Sequence, residues 1–152
     1  MPQRDPNIII RPAAIKDARK IAPMLAYIEN QETDLYRTLE RMCLARPHET
    51  LLVAEMDGEV AGFAALRVVP TLSAETPYAE ITELYVADKT QRERIGRAFT
   101  GHLEALAREK GAAHLVLLTG LRNTPSKNLY RALGYRDYAL AMRKTLKRRE
   151  HT

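Results

Sequence analysis

Two rhythms of apolar residues run along this chain, one of period two and one of three to four, and they alternate in blocks. Asn7 to Arg11 holds the β-branched run Ile8-Ile9-Ile10, cut off by Pro12, and predicts a first strand. Asp17 opens a helical pattern in which Ile21, Leu25 and Ile28 recur at steps of four and three, with Pro23 marking a late start or a kink. Leu35, Leu39 and Met42 repeat that spacing, predicting a second helix from about Glu32 to Ala45 that stops before Pro47. Leu51 to Glu55 and Val60 to Val69 then read as two antiparallel strands joined at Asp57-Gly58, a strong hairpin signal.

Pro70 and the segment Thr71 to Pro77 form a loop leading to a central strand, Ile81 to Val86. A helix follows, beginning between about Thr90 and Gly96 and carrying Ile95, Phe99, Leu103 and Leu106 on one face. Gly111 is a stop, and His114 to Leu118 is a strand of the buried type. Strand, long helix, strand implies a crossover with parallel pairing. Thr124-Pro125 starts a short helix with Leu129 and Leu133 inward and Gly134 at its end. Tyr138, Leu140 and Met142 alternate over a last predicted strand, Tyr135 to Met142. The whole is expected to be one α/β domain, residues 1–152, with a mixed central sheet flanked by helices.

Composition narrows the class. At 152 residues, 45% hydrophobic and 28% charged, the chain can bury a core without disulfides or a structural metal. The single cysteine, Cys43, excludes an internal disulfide and is expected to be a small buried hydrophobe. His48, His102, His114 and His151 are scattered, so no metal is expected. No apolar run has the length of a membrane span, and a cytoplasmic protein is the expectation. The net charge of +5 owes much to a basic C-terminal tail from about residue 143, where Arg143, Lys144, Lys147, Arg148 and Arg149 crowd together. Without interleaved aromatics the tail reads as solvated rather than as a nucleic-acid surface.

The candidate chemistry sits where the central strand feeds the long helix. A helix start collects unpaired amides at the positive end of the dipole, and a glycine there lets an anion approach the backbone. The bland alternative is that Thr90-x-x-Glu93 is a capping box at the start of a surface helix.

The segment Gln91-Arg92-Glu93-Arg94-Ile95-Gly96 resembles the Gln/Arg-x-x-Gly-x-Gly/Ala motif of the GCN5-related N-acetyltransferases, the GNAT family. Gln91 and Gly96 match, and Arg94 stands where the family has its first glycine. Farther on, Asn123-Thr-Pro-Ser126-Lys-Asn-Leu-Tyr130-Arg-Ala-Leu-Gly134-Tyr135 resembles the family's Asn-x-x-Ala-x-x-x-Tyr-x-x-x-Gly-Phe, with Ser126 for alanine and Tyr135 for phenylalanine. The matching order of elements covers approximately Ile8 to Met142.

The resemblance implies a GNAT-type fold and transfer of an acetyl group from acetyl coenzyme A (acetyl-CoA) to a primary amine of a small molecule or peptide by direct attack. Such an amine has a pKa near ~10, so roughly 0.1% or less is the free nucleophile at neutral pH, and a base or water chain must remove a proton. Tyr130 is implied as general acid to the leaving thiolate, the alternative being a packed core tyrosine. Glu83 is the candidate base, the alternative being a residue that pairs with a cation or orients substrate. Strict alternation puts Ile81, Glu83 and Tyr85 on one face and Glu80 on the other.

By the same resemblance Leu84, Tyr85 and Val86 receive the pantetheine arm. Gln91, Arg92, Glu93, Arg94, Ile95, Gly96 and Arg97 receive the pyrophosphate, and Asn123 with Tyr130 the rest of the cofactor. Glu29, Glu32 and Asp34 border the expected acceptor region and would attract a cationic amine if they are more than a solvated face; Tyr27, Tyr36 and Tyr78 line the pocket or merely pack. A non-catalytic acyl-CoA sensor is the competing function, and a homodimer is an expectation at family level only.

Overall fold

The computed structural model describes residues 6–45 and 47–147, so Arg148 and Arg149 of the basic tail lie outside the described residues. The chain forms two compact units, residues 1–117 and 118–152.

The first unit is a five-stranded sheet in chain order. Strands β1 (Ile8–Pro12), β2 (Thr50–Met56), β3 (Glu59–Val69) and β4 (Tyr78–Val86) pair antiparallel, and β5 (Leu115–Leu117) runs parallel to β4. The β2–β3 connection is the expected tight hairpin: Asp57 and Gly58 both take positive φ, 52° and 86°, as a type I′ turn requires. The crossover from β4 to β5 is helix α3 (Arg92–Glu109). Ile95, Phe99 and Leu103 are wholly buried at four-residue steps, and they cover a sheet face made by Leu52, Ala54, Ala64, Leu66 and Val86.

Helices α1 (Ala18–Glu29) and α2 (Leu35–Ala45) belong to the other face, where Ile21 and Met24 pack with Val53 and Phe63, and Leu25 and Met42 close the cluster. Pro23 lies inside α1, which continues past it; its missing N–H costs one helical hydrogen bond without ending the element. The start of α1 is fixed electrostatically. Arg11 on β1 grips Asp17 through both terminal nitrogens at 2.8 Å and reaches Glu55 on β2 through Nε at 2.8 Å. Those hydrogen bonds hold the nearly buried Asp17 carboxyl below the usual carboxylate range and pin β1, β2 and the first helix together.

Two irregularities shape the sheet. In the β2–β3 ladder Ala54 faces Gly62 and Glu55 faces Val60, leaving Ala61 unopposed. In the β3–β4 ladder Ala65 faces Glu83 and Leu66 faces Ile81, leaving Thr82 unopposed. Each is a one-residue bulge, beyond which the alternation of faces changes phase.

The second unit contains helix α4 (Thr124–Ala132). Asn123 caps it, one residue earlier than the Thr124 cap expected from the sequence: its side chain accepts from the Ser126 amide at 3.3 Å, and Thr124 and Pro125 are the first two helical residues. It ends in a Schellman arrangement: the Gly134 amide donates to the Arg131 carbonyl, the Tyr135 amide donates to the Tyr130 carbonyl, and Gly134 takes φ 94°. The alternating segment from Tyr135 to Met142 carries no strand pairing within this unit. Among the described residues of the unit no strand is formed, and alternation by itself supplies no partner.

Gly62 shows how tightly β3, β4 and α3 meet. A Cβ there would lie 2.3 Å from the Tyr85 carbonyl oxygen and 3.3 Å from the Phe99 ring. The first contact is to backbone and cannot be relieved by a side-chain turn. Gly62→Ala should therefore lose about 1–3 kcal/mol of stability, whereas Gly101→Ala on α3, where nothing lies within 4 Å of the added methyl, should be neutral or mildly stabilising. Urea denaturation of the two variants beside the parent checks the contrast.

Candidate active site

A cavity of about 320 Å³ opens between the α1–α2 side of the sheet and the helices themselves. Its apolar lining includes Ile21, Leu25, Met42 and Phe63, and its polar lining includes Glu29, Thr38, Arg41, Glu49, Thr82 and Glu83. Each element contributes for a local reason. Asp34 starts α2, accepting from the Arg37 amide at 2.7 Å. That fixes the helix so that Thr38, Arg41, Met42 and Ala45 form one inward stripe at steps of three, one and three. Arg41 reaches Glu29 of α1 through both terminal guanidinium nitrogens, which ties the two helices across the cavity rim.

The bulge at Thr82 delivers Glu83. Ala79 and Ile81 belong to the face under α3, and so do Leu84 and Val86; the step from Ile81 to Leu84 is three residues, not two. Glu83 and Tyr85 are thereby placed on the opposite face, and Tyr85 packs there against Phe63 with ring centroids 5.7 Å apart. The expectation that Ile81 and Glu83 share a face is thus corrected, because period two does not survive an inserted residue. Glu80 falls on the same side as Glu83, also contrary to strict alternation, and is held by Arg67 at 2.8 Å.

The Glu83 carboxyl reaches solvent through the cavity yet is crowded by protein on its other sides. Loss of water raises it above the ordinary carboxylate range; Glu49 and Glu29 add to the rise, and Arg41 opposes it. The Thr82 hydroxyl oxygen beside it is buried and has no hydrogen-bond partner. Of the acidic residues expected near an acceptor, Glu29 lines the cavity, Asp34 is a helix cap, and Glu32 is exposed at the α1–α2 junction. Tyr27 stacks toward Tyr85 at 6.4 Å, while Tyr36 is exposed.

At the other end of β4, Leu84, Tyr85 and Val86 pair with β3 through Ala64, Phe63 and Gly62, and the ladder to β5 stops at Ile81. The chain passes through Ala87 and Asp88 into a 3-10 turn, Lys89–Gln91, and then α3. Asp88 caps this turn, accepting from the Thr90 amide at 2.9 Å and the Thr90 hydroxyl at 2.7 Å. The cap is therefore Asp88 rather than a box formed by Thr90 and Glu93. Glu93 pairs instead with Arg97, at 3.3 Å. The amides of Thr90, Gln91 and Arg92 are engaged by Asp88 and by the Lys89 carbonyl. Ile95 is buried in the core, and Gly96, also buried, has its carbonyl bonded by the Thr100 hydroxyl at 3.0 Å.

Asn123 and Tyr130 belong to the second unit. Asn123 is occupied as the cap of α4, and the Tyr130 ring meets the Tyr135 ring edge-on at 5.6 Å. Cys43, expected to be buried, is exposed on α2. Among the described residues no group of three or more His, Cys, Asp or Glu is arranged to hold a metal, and no helix is long and apolar enough to cross a membrane.

The cavity residues that escaped sequence reasoning include Arg41, Glu49 and Thr82. Arg41 carried a readable signal, a charge on the inward stripe of α2 where an apolar residue is the rule. Glu49, in the short link before β2, and Thr82, defined only by the ladder slip, carried none.

Comparison with known proteins agrees with this geometry. The Acetyltransferase (GNAT) family signature matches residues 15–135. An IAA acetyltransferase of Azospirillum brasilense is 29% identical over 87% of this chain and 86% of its own. A phosphinothricin N-acetyltransferase of Streptomyces viridochromogenes is 32% identical over 88% of this chain and 76% of its own. Among solved structures, an aminoglycoside acetyltransferase from an uncultured soil metagenomic sample, in complex with sisomicin, superposes with a TM-score of 0.73 at 18% identity, over 92% of this chain and 97% of the other. The mixed sheet, the crossover into α3 and the match across most of the chain lead to one conclusion: this protein belongs to the acetyltransferase (GNAT) family.

Proposed function

We propose that the chain transfers the acetyl group of acetyl-CoA to a primary amine held in the cavity over Glu83. The observation that carries this reading is the bulge at Thr82, which turns a partly desolvated carboxylate out of the α3 face and into an open cavity. Acetyl-CoA supplies an activated acyl thioester. The residues suited to hold it are the stretch Leu84 to Val86, past the last β5 partner, and the start of α3, where the positive end of the helix dipole lies beside the cations Arg92, Arg94 and Arg97. Gln91, Ile95 and Gly96 complete the motif, and Asn123 with Tyr130 are the residues assigned to the cofactor from the second unit.

Glu83 takes a proton from the bound ammonium, directly or through water, and the free amine attacks the thioester carbonyl. Its raised pKa suits the task, since a carboxylate closer to neutrality is a stronger base. Tyr130 donates a proton to the departing thiolate and is reprotonated as the acylated nitrogen sheds its second proton, which leaves the neutral amide and the free thiol. The non-catalytic sensor reading is not favoured, because binding a thioester alone requires no carboxylate-lined cavity beside it. Of the partners expected from the sequence, a small-molecule or peptide amine fits this cavity, and a homodimer remains a family-level proposal.

Incubation with acetyl-CoA and a panel of amines, followed by free-thiol release and product mass, should show acetylated amine; binding of acetyl-CoA with no thiol released would replace the transferase by the sensor. Tyr130→Phe should lower turnover about 10- to 1000-fold with coenzyme affinity nearly unchanged, and full activity in that variant would reduce Tyr130 to a packing residue.

The pH profile tests Glu83. As a base it works when ionised, so activity falls as pH drops through its raised pKa, at a higher pH than an ordinary carboxylate would give. Removing the cation that opposes the shift, by Arg41→Gln, should move the acid limb of kcat/KM further up in pH, and removing the like charge by Glu49→Gln should move it down. An acid limb unmoved by both substitutions would assign the proton transfer to another group.

A further inference from the structure

We infer that the acceptor is an amine carrying at least two cationic groups, one seated at Glu83 and another at Glu49. This inference rests on the acetyl-transfer reading above and names the substrate class of the same cavity. Three carboxylates, Glu29, Glu49 and Glu83, line the cavity, and Arg41 is the one cation among the described residues of its lining. Arg41 is spoken for, since Glu29 accepts hydrogen bonds from both of its terminal nitrogens. The cavity thus carries two negative charges in excess when all three carboxylates are ionised. An isolated pair of carboxylates in a partly desolvated space is unfavourable unless cations accompany them.

Three independent features point to a ligand rather than to a solvated acidic face. The Thr82 hydroxyl oxygen is buried in the cavity wall with no partner, a polar atom left unsatisfied beside the carboxylates. Glu29 and Glu49 both raise the Glu83 carboxyl, so the three charges act on one another across one space. And Glu49 also lines a second cavity of about 250 Å³, which shares Ala13, Met42 and Leu51 with the first and is walled by Ile15, Leu39 and Cys43. Glu49 is therefore placed where the two hollows meet, with apolar walls for the carbon skeleton between the cationic ends. An α-amino acid fits this arrangement poorly, because its carboxylate would enter a cavity lined by three carboxylates and one cation that already hydrogen-bonds Glu29.

The test compares three acceptors of similar size with the full chain and acetyl-CoA: butylamine, 1,4-diaminobutane and glutamic acid. The diamine should show kcat/KM about tenfold or more above the monoamine, with glutamic acid the poorest, and its KM should rise steeply with ionic strength. Glu49→Gln should cost the diamine about tenfold and the monoamine less than twofold. Equal use of monoamine and diamine, a preference for glutamic acid, or a diamine KM indifferent to salt would overturn the inference while leaving acetyl transfer intact. Calorimetric binding of 1,4-diaminobutane, lost in Glu49→Gln but accompanied by no thiol release, would support the dicationic site and remove the transferase reading instead.

Discussion

A single unopposed residue, Thr82, decides what this sheet can do. Strand β4 must serve two purposes, since its lower half seals the core beneath α3 and its upper half must present chemistry to the opposite face. An unbroken alternation would put Glu83 on the side of Ile81, under Phe99 and Leu103, where a charged carboxylate would be stranded in apolar surroundings. The slip lets Ile81 and Leu84 both stay inward and turns Glu83 to the cavity and Tyr85 to the same face. The cost is an orphaned hydroxyl at Thr82, the kind of local violation that sheets concentrate at functional positions.

Electrostatics in the first unit is divided between anchoring and poising. The Arg11 cluster is fully matched: a bidentate grip on Asp17 and a third bond to Glu55 satisfy the guanidinium, so this group stabilises three elements and does nothing else. The cavity cluster is mismatched. Arg41 hydrogen-bonds Glu29 and offsets Glu83 only at a distance, so three lining carboxylates face one lining cation and Glu83 stays raised. Proteins keep such an imbalance where a ligand completes it.

Close approach of backbones supports both features. Gly62 permits the Tyr85 carbonyl and the Phe99 ring to share space that a methyl would occupy, which holds the upper end of β4 against β3 and against α3 at once. The same segment runs through the Asp88-capped 3-10 turn into α3, so the strand carrying Glu83 and the helix start suited to a phosphate are joined by a few residues. Their relative position is fixed by short-range geometry within one unit.

The sequence by itself determined the elements and the family. Period-four burial of Ile95, Phe99 and Leu103, the Asp57-Gly58 turn and the Gly134 stop are all local signals, set by neighbours within a few residues, and each appears in the structure where the pattern places it. Tertiary structure decided the rest. Which face Glu83 occupies depends on the β3 register, Glu49 and Arg41 share a cavity with Glu83 only because β2, β3 and β4 pair side by side and α2 lies on that face, and the stretch from Tyr135 to Met142 has strand character but no strand pairing in its own unit. Local chemistry can be read along a chain because it acts through bonds and turns; register, burial and charge balance arise between segments far apart in sequence, and exist only once the sheet has paired.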